Sequence, residues 1–139
     1  MALAALITWL ITAIGGFVML GTWIAKGGPK KSNSQLPPAV VFGHFALAAI
    51  GLVVWIIYVL TDNHAIAWIG FALLVPVALL GFAMLFRWLP VYRARAATGP
   101  GATTAQGPAE KHFPVVVVAG HGLFAVVTVV LALLAALEF

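Results

Sequence analysis

Two histidines stand in apolar surroundings with nearly the same neighbours. His44 lies in VVFGHFALA, which begins at Val40, and His121 lies in VVVAGHGLFA, which begins at Val116. An ionisable side chain inside a hydrophobic run is costly and marks a functional position by default. The hydrophobic segments of the chain carry no Asp, Glu or Lys in their interiors, so neither histidine has a carboxylate partner there. A neutral imidazole keeps one acceptor nitrogen. Two acceptors cannot satisfy each other, but a metal between them satisfies both.

The elements that must position these rings follow from composition. The chain has 139 residues, 64% of them hydrophobic and 7% charged, which is a membrane-protein composition. It has no cysteine, so disulfides and thiolate chemistry are excluded. Four segments are long enough to cross a bilayer as helices, at about 2–25, 39–61, 66–89 and 113–137. The expectation is an all-α fold, one transmembrane domain over 1–139 built as a four-helix bundle. The first segment is longer than a signal peptide and is read as retained.

All seven Lys and Arg fall in two of the three connections. Lys26, Lys30 and Lys31 lie in the first; Arg87, Arg93, Arg95 and Lys111 lie around the third. The second, around Asp62, has none. By the positive-inside rule, loops 26–38 and 90–112 face the cytoplasm of a multi-pass protein of the cell inner or plasma membrane, with both termini outside. That placement also accounts for the net charge of +4 without nucleic acid as a partner. The stretch from Ala97 to Glu110, ATGPGATTAQGPAE, has linker composition, and about 92–112 is expected to be a flexible loop.

The two hairpins resemble each other. GFVMLGTW (Gly16–Trp23) and GFAMLFRW (Gly81–Trp88) match at Gly, Phe, Met, Leu and Trp, and each is followed by a basic, proline-containing loop and a helix with Gly-His near its start. Parallel repeats of this kind are related by an axis along the membrane normal. His44 and His121 are then symmetry mates, each about 10 Å inside its helix. Met19 and Met84 fall near the same level. Gly43 and Gly120, beside the histidines, are expected to let a helix or a flat ligand approach. Trp23, Trp88 and Tyr92 are placed as an interfacial aromatic belt, and Pro76 is expected to kink the third helix.

Haem iron with two axial histidines fits this arrangement, its propionates turned toward Lys30, Lys31, Arg87, Arg93 and Arg95. His112, beside Lys111, is a candidate partner for a propionate or for a quinone carbonyl. The chain resembles four-helix b-type cytochromes of the kind found as membrane anchors of respiratory dehydrogenases and in the cytochrome b561 group. The resemblance rests on the bundle and on His44 and His121. It implies a haem b electron-transfer subunit, exchanging electrons with quinone or a partner protein in a complex or a homo-oligomer. The other readings are histidines that serve helix packing in a non-redox accessory subunit, another metal, and a small transporter.

Overall fold

The computed structural model describes residues 1–98 and 107–138. Among the described residues there are four α-helices: α1 (Ala2–Ala25), α2 (Pro38–Thr61), α3 (His64–Thr98) and α4 (Val115–Leu137). Short 3₁₀ turns at Lys31–Asn33 and Ala109–His112 sit in the first and third connections, and no strand occurs among the described residues. Each helix is long and apolar enough to cross a membrane.

The helix boundaries have local causes. Pro38 opens α2 at a position where its missing N–H costs nothing. Asp62 ends α2 in the left-handed region, with φ 51°, and its N–H bonds the Tyr58 carbonyl at 2.8 Å. The Asn63 side chain accepts the Ala65 N–H at 3.0 Å and starts α3, slightly earlier than the hydropathy pattern indicated.

The far end of α3 corrects the sequence reading. The helix was expected to stop near residue 89, before a flexible loop over about 92–112. It runs through Pro76 and Pro90 to Thr98. At 1.5 Å per residue it is about 50 Å long, well beyond the roughly 30 Å of a hydrocarbon core. Arginine and alanine are strong helix formers, and they carry the helix through Arg93–Ala97. Residues 99–106 of the expected loop lie outside the described residues, whereas the turn Ala109–His112 packs against α1 and α3.

Around the bundle the order is α1, α4, α3, α2, with α1 chiefly along α4 and α2 chiefly along α3. The close pairs therefore join one helix from each sequence repeat, and α2 and α4 occupy a diagonal. The core divides into two clusters. One surrounds Trp9, Trp55, Tyr58 and small alanines such as Ala67 and Ala135, at the end where the termini meet. The other surrounds Trp23, Leu36, Trp88 and Phe113, at the loop end. Between them, no residue in 10–22, 42–50, 78–87 or 114–127 is buried. His44 and His121 lie in this middle stretch.

Candidate functional site: two histidines on diagonal helices

His44 on α2 reaches the neighbouring helix α3, where its Nδ1 lies 2.9 Å from the Val77 carbonyl oxygen. His121 on α4 reaches α1, where its Nδ1 lies 2.8 Å from the Thr12 carbonyl oxygen. A carbonyl only accepts, so each Nδ1 donates and carries the proton. Nε2 is then the lone-pair nitrogen of each ring, and it has no hydrogen-bond partner among the described residues. The two ring centroids are 6.3 Å apart, with planes inclined at 57°.

Glycine makes both contacts possible. In a helix the carbonyl of residue i already accepts from residue i+4, and the i+4 side chain stands beside it. A ring can reach the second lone pair only where that neighbour is small. The i+4 residues here are Gly16 and Gly81. A Cβ on Gly16 would stand 3.2 Å from His121 Cε1, and one on Gly81 would stand 3.3 Å from His44 Cε1. Gly15 also lies under His121, at 3.3 Å from its Cβ. The repeat GF-x-ML-x-x-W contains Gly16 and Gly81 at matching positions, so the signal was present in the sequence, although it did not say what the glycines touch.

The other residues singled out from sequence fall elsewhere. Gly43 and Gly120 do not receive a neighbour, because nothing lies within 4 Å of where their Cβ atoms would be. Met19 and Met84 pack against the loop-end cluster. Arg87 is exposed and donates to the Gln35 carbonyl at 3.3 Å, Arg95 donates to the Lys111 carbonyl at 2.9 Å, and Arg93 is exposed on the last turns of α3. His112 is exposed in the third connection. Partial desolvation, and then the positive charges of Lys26, Lys111 and Arg95, hold its pKa below the ordinary value.

No known family, curated protein or solved structure matches the chain.

The loop end holds a polar constellation that composition concealed. Glu110 is fully buried. Its carboxylate accepts the Ser34 hydroxyl at 2.8 Å and the Gln35 N–H at 2.6 Å. Trp23 donates its indole N–H to Ser34 Oγ at 2.8 Å, and Trp88, its repeat mate, donates to the Glu110 carbonyl at 3.1 Å. Both tryptophans are buried, at 1% and 7% exposure, so they are not an exposed aromatic belt. They fasten the two connections to the bundle, and Tyr92 stacks on Trp88 at 5.1 Å.

Among the described residues, no group of three or more His, Cys, Asp or Glu is placed to hold a metal ion. The histidine pair offers two nitrogen donors. A tetrahedral zinc site wants four protein ligands.

Proposed function

We propose that this chain is a membrane-embedded haem b electron-transfer subunit, with His44 and His121 as the axial ligands. The observation that carries the reading is the pairing of the two rings across the bundle at 6.3 Å, each with its Nδ1 proton donated to a backbone carbonyl so that Nε2 is the lone-pair nitrogen. A metal–imidazole bond is about 2 Å and each ring centre stands about 1 Å further back, so two rings on one metal have centres roughly 6 Å apart. Donation of the second ring N–H to a carbonyl is the usual way a ligating histidine is oriented and made more basic. The spans around the pair are almost wholly apolar in sequence, which supports an apolar group as the occupant.

Haem, when bound, supplies a one-electron couple whose potential depends on its axial ligands and its burial. His44 and His121 would hold the haem, and their Nδ1 bonds to the Val77 and Thr12 carbonyls would keep both imidazoles in one tautomer. The basic residues on the loop side support a cytoplasmic location for that end in the cell inner or plasma membrane. Redox subunits, or a second copy of this chain, are the partners this reading requires at either end of the electron path, and quinone is a candidate acceptor.

The test is a reduced-minus-oxidised visible spectrum of protein made with ample haem. A low-spin b-type spectrum is expected, and His44→Ala and His121→Ala should each abolish it. Absence of the spectrum, or its persistence in either variant, would overturn the assignment and leave an accessory role for a bundle whose histidines serve packing.

A further inference from the structure

We propose that the cleft between the first and third connections binds a phosphate-bearing anion. The cleft, of ≈ 670 Å³, is lined by polar groups that include Lys26, Ser32, Asn33, Gln35, Gly107 and His112. Lys26 directly follows α1, and His112 stands three residues before α4, so the cleft opens at the level where the spans end. Basic pockets at this level between transmembrane helices take anionic lipid headgroups. Its polar lining is unsuited to a quinone ring, which needs apolar walls. The site is independent of the histidine pair and of the haem reading.

The charges around it favour an anion. Lys26 is in the wall, and Lys111 and Arg95 lie close enough to act on His112 electrostatically. Among the described residues, no acidic side chain lines the cleft. Glu110, next to it, has its oxygens turned inward on Ser34 and the Gln35 N–H and is fully buried. The Ser32 hydroxyl and the Asn33 amide add neutral donors, and a phosphate oxygen accepts from ammonium, hydroxyl, amide and imidazole N–H alike. The anion has two sources, the phosphodiester of a lipid such as phosphatidylglycerol or a free phosphate in the aqueous phase.

The experiment has an arm for each. Protein in nanodiscs of phosphatidylcholine doped with phosphatidylglycerol is released and the retained lipid is counted by native mass spectrometry. In parallel, protein in pure phosphatidylcholine discs is titrated with inorganic phosphate while the His112 ring resonances are followed. Selective retention of phosphatidylglycerol, reduced roughly fivefold by Lys26→Gln and further by Lys26→Gln with His112→Gln, supports the site with lipid as the source. A saturable His112 shift with phosphate, weakened by Lys26→Gln, supports it with free phosphate as the source. The proposal is overturned if neither arm responds, or if Lys30→Gln, outside the cleft, reduces binding as much as Lys26→Gln.

Discussion

His44 and His121 make the same contact with opposite helices: each ring donates to the carbonyl of a residue four places before a glycine, Val77 before Gly81 and Thr12 before Gly16. The spacing 12–16 on α1 repeats as 77–81 on α3, and the same offset of 65 residues separates Trp23 from Trp88. The two-fold relation holds for the two ring contacts and lapses toward the end where the termini meet. Trp9 corresponds to Leu74 and Trp55 to Ala132. Symmetry is kept where the rings meet, and the terminal half packs by other means, with Trp9 against Gly51 and Trp55 against Gly70.

The glycines beneath the rings predict a separation of stability from site geometry. In Gly16→Ala or Gly81→Ala the new methyl meets the ring at 3.2 or 3.3 Å, so the imidazole must give by a few tenths of an ångström. An alanine in a helix interior is favoured over glycine by about 1 kcal/mol, which offsets that crowding. Thermal stability is expected to stay within about 1 kcal/mol of the parent. The Nδ1 nitrogen shift of the facing histidine is expected to move as its hydrogen bond lengthens, and in haem-loaded protein the low-spin spectrum should weaken. An unchanged Nδ1 shift in both variants would show that the glycines do not set the ring positions.

Glu110 predicts a local opening. Glu110→Ala removes the acceptor for the Gln35 N–H and the Ser34 hydroxyl, and a buried donor left without a partner costs about 1–3 kcal/mol. Hydrogen exchange at the Gln35 amide should accelerate strongly, while amides in the middle of α2 keep their protection. Glu110→Gln retains one acceptor oxygen and should show a smaller effect. Equal protection at Gln35 in all three proteins would refute the latch.

Much of this architecture was legible in the sequence. Hydropathy located four spans, and the paired Gly-His and GF-x-ML-x-x-W patterns identified the two-fold relation. Hydropathy could not extend α3 beyond residue 89, because Arg87, Pro90, Arg93 and Arg95 end the apolar run without ending the helix. Composition could not separate Glu110 from the Gly/Pro/Ala-rich stretch before it, because its burial depends on Ser34 and Gln35, some 75 residues away. The glycines flanking the histidines, Gly43 and Gly120, are adjacent in sequence but touch nothing within 4 Å of their Cβ positions. The glycines that matter lie on other helices, and only packing reveals them.

His112 predicts a pH response with a definite sign. Its pKa in the folded protein is held below the ordinary 6.5 by partial desolvation and by Lys26, Lys111 and Arg95. The unfolded chain therefore binds more protons in the window below 6.5, and stability rises with pH through that window. The contribution is fully present above 6.5 and is lost as pH falls through the folded-state value. His112 is exposed, so screening keeps the stability effect small, and the ring titration is the sharper readout. Its midpoint by NMR should lie below 6.5 and rise toward it in Lys26→Gln. A midpoint above 6.5 would contradict the arrangement of cations around it.

Trp23 and Gly28 predict a steric limit at the loop end. The backbone turns back on the indole, with the Gly28 N–H donating to the Trp23 carbonyl at 2.8 Å, and a Cβ on Gly28 would overlap the ring itself. Gly27, immediately before, holds φ 78°, which other residues rarely adopt. The indole cannot retreat, because it is 1% exposed and its N–H is committed to Ser34 Oγ. Gly28→Ala should therefore cost about 1–3 kcal/mol, the range for overpacking a filled core. Gly21→Ala, with nothing within 4 Å of its Cβ position, should be neutral or stabilising. If the cost at Gly28 runs through the indole, Ser34 and Glu110, then Gly28→Ala and Glu110→Ala in a double-mutant cycle should be non-additive by at least about 0.5 kcal/mol. Additive losses would mean that the turn and the carboxylate latch act separately, with Trp23 packed in both but transmitting nothing between them.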